Sequence, residues 1–251
     1  MYKVRCWAPS ELSTNMSGPK HQTESGLSLD MGSEFLLPRA GTIEDPVRLA
    51  VLVSGGGSGL AALLRYQQTP RCHSTVLALA DSIDAGGLEH ARNAGVKNVG
   101  VPLPMEVDKP ERRLAHEHLV HAELVAADTE LVVLSGYMRI LTPWFVSRWK
   151  GRLVNIHPSL LPDFPGAHAH RDVLAAGVSV TGCSVHLVDE GVDSGPVLAQ
   201  RQVEVLPDDD EEALQERVKR SEHMLYPEVL DQLCSGRISL SVLWRVDVAQ
   251  D

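Results

Sequence analysis

The chain has 251 residues, which is enough for one large α/β domain or two small domains. Hydrophobic residues make up 43% of it and aromatic residues only 4%, so a sizeable core must be built mostly from leucine, valine and alanine. The formal net charge of −10, with a pI near 5.5, argues against a nucleic-acid surface or an anionic membrane as the main partner.

Residues 1–46 differ in composition from the rest of the chain. They are rich in serine, carry scattered charges of both signs and show no sustained period, so we expect a disordered N-terminal extension. Acidic residues throughout the segment, and the lack of an apolar core, disfavour a targeting peptide. The four cysteines of the chain form no CxxC pair. This pattern predicts free thiols in a reducing compartment, and therefore a cytoplasmic location.

From residue 47 onward, apolar runs alternate with amphipathic stretches. The apolar runs predict strands at 47–54, 74–82, 96–103, 130–136, 151–158, 181–188 and 196–205. The amphipathic stretches predict helices at 58–68, 87–95, 109–128, 142–150 and 210–233. This alternation predicts an α/β fold with a Rossmann-like, doubly wound, mostly parallel sheet, to which the C-terminal strands add an antiparallel part.

Two of the predicted helices carry local signals of their own. Thr142 is expected to cap the helix that Pro143 opens. The last helix has a single apolar stripe, formed by Leu214, Val218, Leu225, Val229 and Leu233. That stripe predicts a long helix packed along one face of the sheet.

A glycine-rich turn, SGGGSGLAA, joins the first predicted strand to the first helix. Gly57, Ser58 and Gly59 would present backbone N–H groups at a helix N-terminus, which suits a phosphate. The turn also fits the pattern G-x-G-x-x-A, with Asp81 ending the second strand where a ribose-binding acid would stand. A nicotinamide-dependent oxidoreductase therefore remains an alternative, as does a tight turn without a ligand.

The segment NIHPSLLPDFPGAHAHRD follows the fifth predicted strand, at the end where such sheets bind ligands. Asn155 and His157 are two residues apart and can point the same way. Together they could hold a carbonyl oxygen as negative charge builds on it. An acid that orients the imidazole could be Asp193, Asp189 or Glu190. Asp193 is the best placed, because it precedes a Ser-Gly-Pro turn.

A metal site is the alternative for the histidines. His157, His168, His170 and His186 lie within a 30-residue stretch, but no pair has the i, i+4 spacing of a zinc-binding helix. We therefore expect no metal. His168 and His170 could brace the loop, and His186 could be a core histidine. Cys183, between two small residues, is expected to be buried rather than nucleophilic.

Five stretches of the chain resemble the folate-dependent formyltransferases, and within them the branch that formylates glycinamide ribonucleotide in purine biosynthesis. They are VLVSGGGSGL, LSGYMRIL, GRLVNIHPSLLPDFPGAHAH, GCSVHLVDEGVDSGP and ERVKRSEHMLYP, in the family's order and spacing. The resemblance implies formyl transfer from the co-substrate 10-formyltetrahydrofolate to the amine of the ribonucleotide, without a metal. It implies small-molecule partners, no nucleic acid and no membrane, and a monomer or homodimer.

The resemblance also assigns roles to residues. The catalytic trio falls on Asn155, His157 and Asp193, in agreement with the spacing argument. The substrate-binding set is Gly57, Ser58, Gly59, His168, His170 and Glu222. The folate-binding set is Arg113, Met138, Arg139, Ile140, Leu141, Asn155 and Asp189.

These assignments imply one formyltransferase domain at 47–251. Its phosphate-binding half is expected at about 47–150, and its catalytic and folate-binding half at about 151–251. The chain departs from the family pattern at two positions. The family commonly has asparagine or threonine where this chain has Gly56, and asparagine where it has Gly59. Backbone N–H contacts survive both changes, but a side-chain contact with the phosphate would be lost.

Related activities remain as alternatives. Formyltetrahydrofolate hydrolases share the trio but carry a regulatory domain before it, for which residues 1–46 are expected to be too short and too polar. Methionyl-tRNA formyltransferases carry a basic domain after it, for which the 15 residues after Gly236 are expected to be too few. Sugar formyltransferases diverge in the histidine loop. A hydrolase is thus the nearer alternative, and a nicotinamide-dependent oxidoreductase the more remote one.

Overall fold

In a computed structural model, which describes residues 35–238, seven strands form one sheet flanked by helices. The strands are β1 Val47–Val53, β2 His73–Ala80, β3 Lys97–Gly100, β4 Leu131–Leu134, β5 Leu153–His157, β6 Val180–Leu187 and β7 Val197–Glu204. The helices are α1 Ser58–Tyr66, α2 Gly87–Asn93, α3 Arg112–Ala126, α4 Pro143–Arg148, α5 Ala169–Ala176 and α6 Glu211–Cys234.

The strand order in the sheet is β3-β2-β1-β4-β5-β6-β7. The first five strands of the chain pair in parallel, whereas β5–β6 and β6–β7 are antiparallel. The predicted mostly parallel sheet with an antiparallel C-terminal addition is therefore confirmed. The connection after β1 leads to β2 on one side, and the connection after β4 leads to β5 on the other side. The direction of the connections therefore reverses between the neighbouring strands β1 and β4. Such a switch point leaves a crevice at the carboxyl ends of the strands.

Each face of the sheet has its own core, because side chains alternate along a buried strand. In β1, Leu49, Val51 and Val53 belong to a core covered by α1, α2 and α6. Ala50 and Leu52 belong to the opposite core, covered by α3 and α4. The continuous apolar run of β1 follows from this burial on both faces.

The long helix α6 has the predicted stripe. Leu214, Val218, Leu225, Val229 and Leu233 are each at most 1% exposed, and all pack in the first core. None of the helices within residues 35–238, α6 included, combines the length and the apolar composition needed to cross a membrane.

Most predicted elements are a few residues shorter in the structure, and two elements differ more clearly from the expectation. The third strand covers only Lys97–Gly100 instead of the predicted 96–103. Residues Ala169–Ala176 form the helix α5, which was not predicted, because only Ala169 and Val173 of it are buried. Two buried positions in eight residues give too short a pattern to reveal a helix.

The predicted cap of α4 is right in position but wrong in its hydrogen bond. Thr142 has extended backbone at the N-cap and Pro143 opens the helix, yet the threonine side chain makes no cap hydrogen bond. Its hydroxyl donates to Glu117 Oε2, and its backbone N–H donates to Glu117 Oε1 at 2.7 Å. Glu117 lies on α3, so the polar groups expected to cap α4 join it to its neighbouring helix instead.

The expected extension at 1–46 needs a correction for residues 35–46, which pack on the domain. Phe35 and Leu37 contact the first core. Arg39 Nε donates to Glu130 Oε1 at 2.6 Å, and the Gly41 N–H donates to the Cys234 carbonyl at 2.7 Å. The mostly polar composition of the first 46 residues hid the few residues that make these contacts. Residues 1–34 lie outside the part of the chain that the structure describes.

Removal of residues 35–44 should lower the melting temperature. A chain that begins at Phe35 and one that begins at Asp45 differ only in this segment. The two half-buried apolar side chains are worth roughly 2 kcal/mol, which is about 4–8 °C for a domain of this size, and both ion pairs of Arg39 are lost with them. Thermal unfolding followed by circular dichroism measures the difference. Equal melting temperatures would show that the segment contributes nothing to stability.

Candidate active site

A cavity of about 530 Å³ opens at the crevice between the carboxyl ends of β1 and β4. Its wall is formed by the glycine turn, the loop after β4, the end of β5 and one face of α6. This volume is in the range of small-ligand sites. The residues in its wall come from both predicted halves of the domain.

The glycine turn lines the cavity, with Gly57, Ser58 and Gly59 at the N-terminus of α1. Gly57 has φ 68°, a left-handed conformation that favours glycine. A Cβ at Gly57 would lie 2.4 Å from Gly87 Cα, so the turn also packs directly on the start of α2. From the sequence, only the close approach of a ligand explained this glycine. The backbone contact is a second reason.

Gly59 has a different neighbour, the hydroxyl of Ser135. A Cβ at Gly59 would lie 2.3 Å from Ser135 Oγ. Ser135 directly follows β4, is buried, and lines the same cavity. Its hydroxyl thus occupies the space that a side chain at position 59 would need. The departure from the family pattern at Gly59 is accompanied by a polar group from the neighbouring strand.

Helix α6 contributes Lys219, Glu222 and His223 to the cavity wall. Their i, i+3 and i+4 spacing places them on one face of the helix. Burial raises the pKa of Glu222 to about 7, against the opposing charge of Lys219. His223 Nε2 lies 3.2 Å from Ser58 Oγ and so joins α6 to the glycine turn. The resemblance pointed to Glu222 but missed the other two, although their spacing from Glu222 was visible in the sequence.

Asn155, His157 and Asp193 come together beside this cavity. His157 Nδ1 lies 3.3 Å from Asp193 Oδ2, and Asn155 Nδ2 lies 3.5 Å from Asp193 Oδ1. The Gly166 N–H also donates to Asp193 Oδ2, at 2.8 Å. Ile156 and Pro158, the two neighbours of His157 in the chain, line the cavity itself. The three residues that spacing and resemblance selected therefore form one cluster at its edge.

Both ring nitrogens of His157 face acceptors. Nε2 lies 2.8 Å from the Phe164 carbonyl oxygen, and Nδ1 faces Asp193. Burial lowers the pKa of His157, while the Phe164 carbonyl and the Asp193 charge oppose that shift. Burial would raise the pKa of Asp193, but hydrogen bonds from His186 and Gly166 and the charge of His157 outweigh it and bring the pKa to about 2. Asp193 is thus an anion near neutral pH.

His186 belongs to the same cluster, which sequence reasoning missed. It is buried, as expected of a core histidine, and is paired with Asn155 across the antiparallel strands β5 and β6. Its Nε2 lies 3.2 Å from Asn155 Nδ2 and 3.5 Å from Asp193 Oδ1. Only the register of β6 against β5 reveals this position, and the sequence alone does not supply that register.

The loop after β4 carries exposed apolar side chains. Met138 is 77% exposed and Ile140 67%, and Met138 lines the cavity. The Met138 N–H donates to Ser54 Oγ at 2.8 Å, which fixes the loop to the end of β1. Leu141 turns inward and packs against the second core. Large apolar side chains beside a cavity suit an apolar ligand surface.

Arg139, in the same loop, is paired with Asp81. Its Nε lies 2.6 Å from Asp81 Oδ2, and the Asp81 side chain is 10% exposed. Asp81 was the acid that the oxidoreductase hypothesis needed for a ribose. Its carboxylate is already engaged, which weakens that hypothesis.

The remaining predicted residues differ in position. His170 is half-buried and lines the cavity, whereas His168 is an exposed residue at the N-cap of α5 and Arg113 is exposed in the first turn of α3. Asp189 Oδ1 accepts hydrogen bonds from the Gly191 N–H at 3.1 Å and the Ser194 hydroxyl at 2.8 Å, and so shapes the loop that holds Asp193. Among the residues described, neither His168 nor Arg113 is part of the cavity wall.

The thiols and the possible metal ligands are the other reactive groups of the described residues. Cys183 is fully buried, as predicted, and burial raises its pKa. Cys72, Cys183 and Cys234 are all free thiols. Between residues 35 and 238, no three histidine, cysteine or acidic side chains are arranged to hold a metal ion.

Comparison with known proteins supplies independent evidence. Residues 47–230 match the family model described as formyl transferase. The phosphoribosylglycinamide formyltransferase of Escherichia coli is 41% identical over 198 residues, covering 77% of this chain and 90% of that protein. The enzyme of the same name from Mycobacterium tuberculosis is 46% identical over 180 residues, covering 72% and 81%.

Structural comparison and longer relatives agree with this result. A glycinamide ribonucleotide transformylase from Symbiobacterium toebii superposes with a TM-score of 0.72 at 39% identity, covering 77% of this chain and 90% of that one. The trifunctional purine biosynthetic protein adenosine-3 of Drosophila melanogaster is 41% identical over 197 residues, 77% of this chain. The chain spans only 14% of the length of that relative.

Proposed function

This chain belongs to the formyl transferase family, and on that premise we propose that it is a phosphoribosylglycinamide formyltransferase. It transfers the formyl group of 10-formyltetrahydrofolate to the amine of glycinamide ribonucleotide. The observation that carries the proposal is one cavity with the glycine turn and the N-terminus of α1 in its wall and the Asn155–His157–Asp193 cluster at its edge.

The ribonucleotide is proposed to bind between α1 and α6. The N–H groups of the turn at 57–59 suit its phosphate, because a helix N-terminus favours an anion. Lys219 adds a positive charge from the facing helix. Glu222, three residues further along that helix, is placed to accept hydrogen bonds from the ribose hydroxyls. This arrangement directs the glycine amine toward His157.

The folate is proposed to bind at the loop after β4. The exposed side chains of Met138 and Ile140 offer the apolar surface that its ring systems need. Leu141 packs against the second core beneath the loop, and Asn155 and Asp189 are proposed to contact the folate as well. Arg139 would contribute mainly through its backbone, since its side chain is held by Asp81. The folate supplies the formyl carbon that the amine attacks.

The cluster is proposed to stabilise the tetrahedral intermediate. A bond forms between the amine nitrogen and the formyl carbon, and negative charge builds on the formyl oxygen. Asn155 Nδ2 donates a hydrogen bond to that oxygen. His157 becomes doubly protonated when it takes up the proton of the attacking amine, and as an imidazolium it adds positive charge once the formyl oxygen replaces the Phe164 carbonyl at Nε2. Asp193 holds the opposite ring nitrogen and keeps the imidazolium in place.

Collapse of the intermediate requires a proton to move. The amine loses a proton as it becomes an amide, and N10 of the folate gains one as the bond between the formyl carbon and N10 breaks. His157 and Asp193 lie within hydrogen-bonding reach of each other and provide the relay. The products are formylated ribonucleotide and tetrahydrofolate, with no net change in protons or electrons.

An absorbance assay for tetrahydrofolate tests the proposed function. Purified protein is mixed with 10-formyltetrahydrofolate and either glycinamide ribonucleotide, its phosphate-free nucleoside or no amine. We expect rapid release with the ribonucleotide, slow release with the nucleoside and none without an amine. Release at the same rate without an amine would establish the hydrolase instead.

The Ser135 hydroxyl should contribute to binding of the ribonucleotide and not to binding of the folate. Ser135→Ala removes the hydroxyl beside the turn, and loss of a hydrogen bond to a charged group costs about 1.5–3 kcal/mol. The Michaelis constant for the ribonucleotide should therefore rise roughly tenfold or more. Gly59→Ala should have a similar effect, because its Cβ would displace the Ser135 hydroxyl.

Gly56→Ala is the matched control for these two variants, since nothing lies within 4 Å of a Cβ at that position. It should leave both Michaelis constants unchanged. Steady-state kinetics with each substrate varied in turn makes the comparison. If the Michaelis constant of Ser135→Ala for the ribonucleotide equals that of the parent enzyme, the hydroxyl has no part in binding the phosphate.

Glu222 should give the reaction a dependence on pH. Its pKa is raised to about 7, so the carboxylate predominates above pH 7 and the neutral acid below it. The carboxylate is the better acceptor for ribose hydroxyls. kcat/KM for the ribonucleotide should therefore rise as pH increases through 7.

Glu222→Gln should lower kcat/KM and abolish that rise, whereas Glu212→Gln, an exposed position on the same helix, should preserve it. The phosphate of the substrate also titrates, but identically in all three proteins. A rise of unchanged size in Glu222→Gln would assign the titration to another group.

Three expectations stay predictions: that no metal takes part, that the chain is a monomer or homodimer, and that it is cytoplasmic. The free thiols support the last of these. The division of one domain into a phosphate-binding half and a catalytic, folate-binding half is likewise part of this proposal.

A further inference from the structure

The loop after β4 alternates like a strand, although it pairs with no strand of the described sheet. Tyr137 and Leu141 pack against the second core, and the side chain of Arg139 is 35% exposed. Met138 and Ile140, between them, carry the exposed apolar side chains of the loop. Side chains of an extended chain point alternately to opposite sides. The odd-numbered residues therefore anchor the loop, and the even-numbered ones form its outer surface.

The inward position of Arg139 requires a partner of opposite charge. Asp81, which directly follows β2, supplies it, with 2.6 Å between Arg139 Nε and Asp81 Oδ2. The Asp81 side chain is only 10% exposed, and salt screens a partly buried pair much less than an exposed one. This ion pair thus fixes the middle of the loop to the end of β2.

A second acid, Glu117 on α3, fixes the end of the loop. Glu117 is 2% exposed, and its carboxylate accepts the Thr142 backbone N–H at 2.7 Å and the Thr142 hydroxyl. The preceding residue, His116, has its Nε2 2.8 Å from the Val101 carbonyl oxygen, which holds α3 against the segment after β3. Glu117 therefore contacts the loop from a position that is itself fixed.

Both acids lie near the first inward residue of the loop. Burial raises the pKa of Tyr137, and the charges of Asp81 and Glu117 raise it further, while the charge of Arg139 opposes them. The two acids come from different elements, β2 and α3, and support one short stretch of chain from its inner side.

We propose that Asp81 and Glu117 are positioning residues for the folate, which rests on the proposed function of the chain. They act through Arg139 and Thr142, and they touch neither substrate. Their contacts hold the loop in the conformation that presents its apolar side chains to the folate. A surface that is ordered before the ligand arrives spares binding the entropic cost of ordering it.

Asp81→Asn and Glu117→Gln should each raise the Michaelis constant for 10-formyltetrahydrofolate roughly tenfold or more, because each weakens a charge-assisted contact that holds the loop. The Michaelis constant for the ribonucleotide should stay close to that of the parent enzyme. So should the turnover number at saturating folate, since bound folate restores the loop. Partial unfolding would instead lower the turnover number and leave both Michaelis constants unchanged.

Glu130→Gln is the matched control for the loss of an ion pair. Glu130 directly precedes β4, at the opposite end of the strand from the loop, and Arg39 Nε lies 2.6 Å from Glu130 Oε1. The control should leave both Michaelis constants unchanged. Thr142→Ser keeps the hydroxyl that Glu117 accepts and should retain the parental constant for the folate, whereas Thr142→Val removes it and should raise that constant.

Hydrogen exchange of the Met138 and Thr142 amides gives a readout that needs no turnover. Both amides donate to side chains outside the loop. They should exchange faster than in the parent in Asp81→Asn and Glu117→Gln, and tetrahydrofolate should slow them again. In Glu130→Gln their exchange should be parental.

The outcomes separate this inference from the proposed function. If the parent transfers the formyl group and both acid variants keep its Michaelis constant for the folate, the inference is wrong and the function stands. An equal rise of both Michaelis constants, or a rise for the folate in Glu130→Gln, would also overturn the inference. A parent protein that transfers no formyl group would refute the proposed function, and this inference with it.

Discussion

Asp193→Asn should lower the turnover number by roughly a hundredfold or more, while both substrates bind nearly as well as before. Asp193 has a pKa of about 2, and its Oδ2 lies 3.3 Å from His157 Nδ1. The substitution removes the anion that favours the imidazolium. Its backbone has φ 52°, which asparagine tolerates, so the turn should keep its shape.

An NMR titration of His157 gives the second measurement on this variant. The negative charge of Asp193 raises the pKa of His157 against burial, so its removal should lower that pKa below the parental one. Glu190→Gln, an exposed position in the same loop, serves as the control and should change neither quantity. Parental turnover together with an unchanged titration in Asp193→Asn would remove Asp193 from the mechanism.

Asn155→Ala should lower the turnover number about 100- to 1,000-fold, the usual cost of losing one donor to a developing oxyanion. The amide is placed by the cluster, with Nδ2 3.2 Å from His186 Nε2 and 3.5 Å from Asp193 Oδ1. Alanine keeps the backbone pairing of β5 and leaves the formyl oxygen without this N–H.

Asn98→Ala makes the same chemical change on β3, where the amide donates to the Val96 carbonyl at 3.1 Å. Turnover at saturating concentrations of both substrates should be close to parental in this control. If Asn155→Ala raises only a Michaelis constant and leaves turnover intact, the amide binds the ground state and another group stabilises the oxyanion.

The sequence predicted those features that depend on local periodicity. The unbroken apolar run of β1 indicates burial on both faces of the strand, and the apolar stripe of α6 indicates burial on one face of the helix. Both elements could therefore be predicted from their patterns. Asn155 and His157 could be selected because two residues of one strand share a face. Asp193 followed from its rigid turn and from the resemblance.

Features that depend on contacts between distant segments were not predictable. Thr142 bonds to Glu117 rather than to its own helix, and Ser135 fills the space beside Gly59. His186 joins the cluster of Asn155, His157 and Asp193 only through the register of β6 on β5. In each case the partner is fixed by tertiary packing, which overrides the local pattern.

Transfer of a labelled formyl group tests the central claim most directly. The enzyme is supplied with 10-formyltetrahydrofolate that carries ¹³C in the formyl group, together with glycinamide ribonucleotide, and the products are identified by mass spectrometry. We expect one labelled formyl group on the ribonucleotide for each tetrahydrofolate released. Label recovered as formate, with the ribonucleotide unchanged, would contradict the account.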